Sequence, residues 1–156
     1  VRLPNGLVIH NYLRSQDRDF AMVFCLLANG TVPLVRQYKH GKGALSYDLP
    51  AGYLNTPDES PLLAAQRELR EETGLLASQW QPLGQLVINP NRSATRAHLF
   101  LATDAQANGR QELDDTEELT VSYHTPAELS RMVFAGEITC LASVAGIMMA
   151  LQLLRL

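Results

Sequence analysis

Residues 67–72 pack three glutamates and two arginines into Arg67-Glu68-Leu69-Arg70-Glu71-Glu72, followed by Thr73-Gly74-Leu75. On a helix turning by about 100° per residue, Glu68 and Glu72 lie roughly 40° apart, with Glu71 on the other side of Glu68. The three carboxylates therefore share one arc. Leu62, Ala65 and Leu69 cluster beside it as an apolar stripe, which sets the arc at the edge of a core. Like charges at these spacings oppose helix formation by about 0.2–0.5 kcal/mol per pair, and the negative end of the helix dipole disfavours Glu71 and Glu72. A bound cation offsets both costs. Hard oxygen donors on a fixed helix suit Mg2+ or Mn2+ rather than zinc. Arg67 reaches Glu71 at i,i+4 in the weaker order, which points to orienting that carboxylate. A solvated acidic helix is the competing reading of a bare E-x-x-E-E.

The surrounding elements must hold this helix. Ser60-Pro61 starts it, because Ser suits an N-cap and Pro the first helical position; the spacing predicts a helix over 61–73, ended by Gly74. Pro4-Asn5-Gly6 separates two strand-like runs as a hairpin. Residues 20–28 form a continuous apolar run, as for a strand buried on both faces. Further strands are expected at 31–38, 46–49, 81–88, 96–103 and 119–124. Residues 50–52 read as a strand end opening into a loop, and 105–115 as a polar loop. Helices follow at 126–134 and 140–154. This order gives an α/β or α+β sandwich of one domain over residues 1–156.

Composition agrees. With 156 residues, 46% hydrophobic and 19% charged, the chain can bury one sizeable core. A net charge of −3 without a basic run leaves no footprint for nucleic acid. Residues 140–154 are apolar but interrupted, too short to span a bilayer. No signal peptide is visible, so the expected location is the cytoplasm. Val1 opens the chain inside a strand-like run, so further residues are expected before it. The two cysteines, Cys25 and Cys140, read as separate buried thiols. His10, His40, His98 and His124 share no ligand spacing.

The stretch Gly52…Glu59…Arg67-Glu68-Leu69-x-Glu71-Glu72-x-Gly74-Leu75 resembles the Nudix box, G-x5-E-x7-R-E-U-x-E-E-x-G-U, with U aliphatic. From Glu59 onward the match is complete. Six residues rather than five separate Gly52 from Glu59. Val35-Arg36-Gln37-Tyr38-Lys39 and Asp48-Leu49-Pro50-Ala51-Gly52 look like the ADP-ribose pyrophosphatase branch, with Lys39 for the usual Arg and Asp48 for the usual Glu. Arg2-Leu3-Pro4-Asn5-Gly6 resembles the N-terminal hairpin of that branch, which often mediates dimer formation; a homodimer is implied.

The resemblance implies a Nudix-type α/β/α sandwich with a mixed central sheet and an N-terminal β-hairpin. It implies Mg2+, with Mn2+ as substitute, held by Glu68, Glu71, Glu72 and the carbonyl of Ala51. Gly52, Glu59, Arg67 and Gly74 become structural residues of the box. A carboxylate of the loop 114–118, Glu117 first and Asp115 second, is the expected water-orienting base beside Glu71; a solvated acidic turn is the alternative. Lys39 matches a phosphate-contacting position, and Arg36, Arg92 and Arg96 are further candidates for substrate contact. The loop Pro90-Asn91-Arg92-Ser93-Ala94-Thr95 does not carry the S-P-G pattern frequent among ADP-ribose hydrolases. Tyr38, Tyr53, Trp80 and Phe100 are candidates for stacking on a base.

Three functions follow as expectations. The first is hydrolysis of the pyrophosphate bond of an ADP-ribose-like nucleoside diphosphate sugar, giving a nucleoside monophosphate and a sugar phosphate. The second is hydrolysis of another nucleoside di- or triphosphate or a dinucleoside polyphosphate. The third, of another class, is nucleotide sensing without turnover, and the retention of all three box glutamates argues against it.

Overall fold

The computed structural model describes residues 1–56, 58–107, 110–113 and 118–156. Phe20–Leu27 (β1) explains its continuous apolar run by facing two cores. Ala21, Val23 and Cys25 point to one, Met22 and Phe24 to the other. This is the period-2 alternation of a strand with both faces covered.

The next elements are Val32–Lys39 (β2), Ala44–Asp48 (β3), Ala51–Tyr53 (β4), Pro61–Thr73 (α1), Leu75–Val87 (β5), Arg96–Ala107 (β6), Leu119–His124 (β7), Pro126–Phe134 (α2) and Leu141–Leu154 (α3). One sheet has the order β4-β1-β6-β5, with β1 and β6 parallel and the other pairs antiparallel. The second, β3-β2-β7, is antiparallel throughout. Ala64, Ala65 and Leu69 of α1 cover one face of β1. Ile147 and Ala150 of α3 and Leu129 and Met132 of α2 join the core on its other face, together with Val32 and Leu34 of β2. The layered sandwich with a mixed sheet is as expected.

Helix α1 has the expected bounds. Gly74 closes it in the left-handed region at φ 70°, its N–H donating to the Arg70 carbonyl at 2.8 Å. Ser60 occupies the N-cap, but its side chain makes no capping bond. Thr125 and Glu128 cap α2 reciprocally. At the N-terminus, Arg2 pairs antiparallel with Val8 around Gly6, giving the expected hairpin.

The largest departures from the sequence reading are at three boundaries. Residues 51–53 form a strand, because their backbone pairs with the start of β1, a partner distant in sequence. Strand β5 starts at Leu75, directly after the helix, and β6 runs on to Ala107. The two ends pair with each other, Leu75 opposite Ala107, which extends both beyond their apolar segments.

The chain thus changes sheets between Asp48, the last residue of β3, and Ala51, the first of β4. Pro50 lies in the crossing, and its carbonyl accepts from Val23 N of β1 at 2.9 Å. This crossing brings β4 beside α1. Among the described residues, no helix is long and apolar enough to cross a membrane.

Candidate active site

A cavity of about 510 Å3 opens between α1, β4 and the ends of β2 and β3. That is room for a small ligand. Glu68, Glu71, Glu72 and Arg67 line it from α1, Ala51, Gly52 and Tyr53 from β4, Gln37 and Lys39 from β2, and Asp48 from β3. The three box glutamates therefore share one concavity with a basic side chain and an aromatic ring.

Arg67 organises this wall. Its Nη1 donates to Glu68 Oε1 at 2.5 Å and to Glu71 Oε2 at 3.1 Å, and its Nη2 donates to the Tyr53 carbonyl at 3.0 Å. Nε lies 3.5 Å from Glu59 Oε1, an ion pair without hydrogen-bond alignment. Glu59 in turn accepts from the backbone N–H of Asn55. Burial by itself would lower the Arg67 pKa, but the hydrogen bonds and charges of Glu68 and Glu71 outweigh it and hold the guanidinium above its ordinary value. The loop after Gly52, one residue longer than the box pattern, is tied at both ends: Tyr53 and Glu59 each meet Arg67.

Glu72 is 3% exposed and Glu68 9%. Glu72 Oε2 accepts from the Ala51 N–H at 2.9 Å, which joins α1 to β4 directly. Glu68 presses against Gly52 so closely that a Cβ built there would stand 1.9 Å from Oε1. That contact is the physical reason for glycine at this position. On the rim, Arg70 pairs with Glu71 at 3.3 Å and Glu112 at 3.5 Å, while Glu112 N donates to the Glu71 carbonyl at 2.9 Å.

Lys39 Nζ donates to Gln37 Oε1 at 2.7 Å at the cavity edge. Among the lining residues that the sequence reading did not name as site residues are Arg18, Phe20 and Asp48. Arg18 stands 5.1 Å over the Tyr53 ring, and Phe20 meets that ring edge-on at 6.3 Å. Phe20 and Tyr53 are opposite each other in the β1–β4 register. No local signal reveals this pairing, because it joins strand positions 20 and 53, which are 33 residues apart in the chain.

Other candidates lie elsewhere. Arg36 is exposed and stacks over Tyr47 at 5.7 Å, because strand alternation turns it away from Gln37. Arg92 and Arg96 line a separate concavity with Arg14, around the loop between β5 and β6. Asp115 and Glu117 lie outside the described residues. Cys25 is buried and its thiol pKa is pushed up to about 12 by burial, whereas Cys140 lines the cavity; both are free thiols. Trp80 and Phe100, two of the candidates for stacking on a base, pack against each other beside the core under α1 and do not line the cavity.

The carboxylates of the cavity are hard oxygen donors, which fit a divalent cation in chemistry. Among the described residues, no three acidic, histidine or cysteine side chains already converge as a ligand cage. Glu68 and Glu71 both engage Arg67 instead.

Residues 18–141 match the family model of the NUDIX domain. The chain belongs to that family. It is 38% identical to an ADP-ribose pyrophosphatase of Mycobacterium tuberculosis over 95% of this chain and 72% of the relative. It is 27% identical to an ADP-ribose pyrophosphatase of Bacillus subtilis over 88% of this chain and 74% of the relative. A solved structure, "Crystal structure of ADP compounds hydrolase", superposes with a TM-score of 0.84 over 99% of this chain and 82% of that one, at 21% identity, which bears on the fold. The Nudix pyrophosphohydrolase read from the acidic helix stands.

Proposed function

We propose that this Nudix domain, acting over residues 1–156 as one unit, hydrolyses the pyrophosphate bond of an ADP-ribose-like nucleoside diphosphate sugar. The products are a nucleoside monophosphate and a sugar phosphate. The observation that carries the reading is the meeting of Glu68, Glu71 and Glu72 with Lys39 and Tyr53 in one cavity. The substrate class draws on the names of the two relatives.

Glu68, Glu71, Glu72 and the Ala51 carbonyl would hold Mg2+, or Mn2+ in its place. A divalent ion there supplies charge neutralisation to the phosphate oxygens and a more acidic water. Arg67 holds the carboxylates in place from behind and needs no contact with substrate. Lys39 meets a phosphate oxygen of the substrate, and Tyr53, backed by Arg18 and Phe20, offers an aromatic surface to a base or sugar. Glu71, with Glu117 or Asp115 of the acidic loop, orients the attacking water and takes its proton. Gly52, Glu59 and Gly74 shape the turn and helix that carry these groups. Homodimer formation and a cytoplasmic location belong to the same reading.

The test is a panel of nucleoside diphosphate sugars, including ADP-ribose, incubated with parent protein and Glu72→Gln, in Mg2+ and then in EDTA, with products identified by mass. Cleavage of one compound to a nucleoside monophosphate and a sugar phosphate, abolished by EDTA and by Glu72→Gln, bears the proposal out. Binding without cleavage would turn the reading to nucleotide sensing. Cleavage of triphosphates or dinucleoside polyphosphates alone would move the substrate class.

A further inference from the structure

The turn that carries Ala51 is fastened from a third direction, by a helix that contributes no carboxylate to the cavity. Ser143 lies in the first turn of α3 and is fully buried. Its Oγ accepts from Leu49 N at 3.2 Å and stands 3.0 Å from Asp48 Oδ1. Met22 Sδ is also near, at 3.8 Å. A hydroxyl has one proton, and a charge-assisted bond to a carboxylate is roughly twice as strong as a neutral one. The proton therefore goes to Asp48, and Met22 is a packing contact.

Three consecutive residues are then held by three different elements. Leu49 N binds Ser143 of α3, the Pro50 carbonyl binds Val23 of β1, and Ala51 N binds Glu72 of α1. Pro50 has a fixed φ and no N–H of its own. A shift at Leu49 is accordingly passed to Ala51 with little slack.

We propose that Ser143 is a positioning residue for the metal-binding turn: through Asp48 and Leu49 it sets where Ala51 stands relative to Glu68 and Glu72. This rests on the reading of Ala51 and the α1 glutamates as the cation site. Asp48 acts here as the anchor of the hydroxyl proton.

The experiment compares Ser143→Ala, Ser143→Cys and Asp48→Asn with the parent full chain. Free Mn2+ is titrated by electron paramagnetic resonance without substrate, and kcat and KM are measured separately. Loss of such a supporting contact costs about 10- to 100-fold in metal affinity or activity. We expect Ser143→Ala to weaken Mn2+ binding about tenfold and to lower kcat with KM nearly unchanged. Ser143→Cys, close in size but a weak donor, falls between. Asp48→Asn keeps an acceptor for Ser143 and loses less than Ser143→Ala. Ile147→Val, a fully buried α3 change outside the site, lowers thermal stability while Mn2+ affinity holds. Mn2+ affinity and kcat of folded Ser143→Ala matching the parent would overturn the inference. Were Ser143→Ala not to fold, parental Mn2+ affinity in Ser143→Cys would overturn it equally. A parent that turns over nucleotide but binds no Mn2+ would sink the cation-site reading itself, and this inference with it.

Discussion

The Glu68 carboxylate occupies the space that a side chain at residue 52 would need, with Oε1 1.9 Å from the Cβ position of Gly52. Helix α1 and strand β4 are thus in contact at a point where one residue supplies charge and the other supplies only absence of bulk. We expect Gly52→Ala to push Glu68 off the turn. Turnover should fall by at least about 100-fold, and overpacking should cost about 1–3 kcal/mol of stability. Urea unfolding and steady-state kinetics on the same preparation check both; full activity in Gly52→Ala would refute the contact.

Arg67 engages Glu59, Glu68, Glu71 and the Tyr53 carbonyl with one planar fork. A lysine ammonium keeps the charge but cannot span four partners. Arg67→Lys should therefore lower kcat by about 10- to 100-fold while the helix survives. Circular dichroism and kcat, read together, decide between loss of orientation and loss of fold.

Lys39 stands at the cavity, whereas Arg92 and Arg96 line another concavity. Lys39→Ala should raise KM roughly tenfold, or about 1.4 kcal/mol of binding. Arg92→Ala and Arg96→Ala should leave KM within about twofold if the substrate is held within one chain. A large KM effect at either arginine would mean that a second copy brings it to the site.

Cys25 and Cys140 should separate cleanly by alkylation at neutral pH. Cys25 is buried and protonated, so labelling with iodoacetamide is expected at Cys140 alone, slowed by nucleotide; mass mapping gives the answer. The raised pKa of Cys25 also fixes a sign. The unfolded thiol releases its proton near 9.0, the folded one at about 12. The stabilisation is complete below 9.0 and is lost as pH rises through this window. The slope is about 1.4 kcal/mol per pH unit for one proton. Urea midpoints should fall between these pH values in the parent and less steeply in Cys25→Ala.

Much of this was legible in the sequence. The bounds of α1 follow from Ser60-Pro61 and the Gly74 stop, and the arc shared by Glu68 and Glu72 from helical spacing, all of them local properties. The box pattern from Glu59 to Leu75 carried the family. What escaped is non-local. Strand β4 exists because β1 pairs with it, and the first half of β5 because the extended end of β6 does. Asp48, Arg18 and Phe20 enter the cavity through a change of sheets and a strand register, and neither is written in neighbouring residues. Arg92 and Arg96 line a separate concavity of this chain, a placement set by the sheet order and not by neighbouring residues.

The fastening of Leu49, Pro50 and Ala51 to α3, β1 and α1 has a consequence for how activity would fade during unfolding. An excised peptide spanning residues 52–75 would contain every side chain of the box and still form no site. In denaturant, hydrolysis should disappear no later than the first layer to detach, so the enzyme assay becomes a sentinel for the integrity of the whole sandwich.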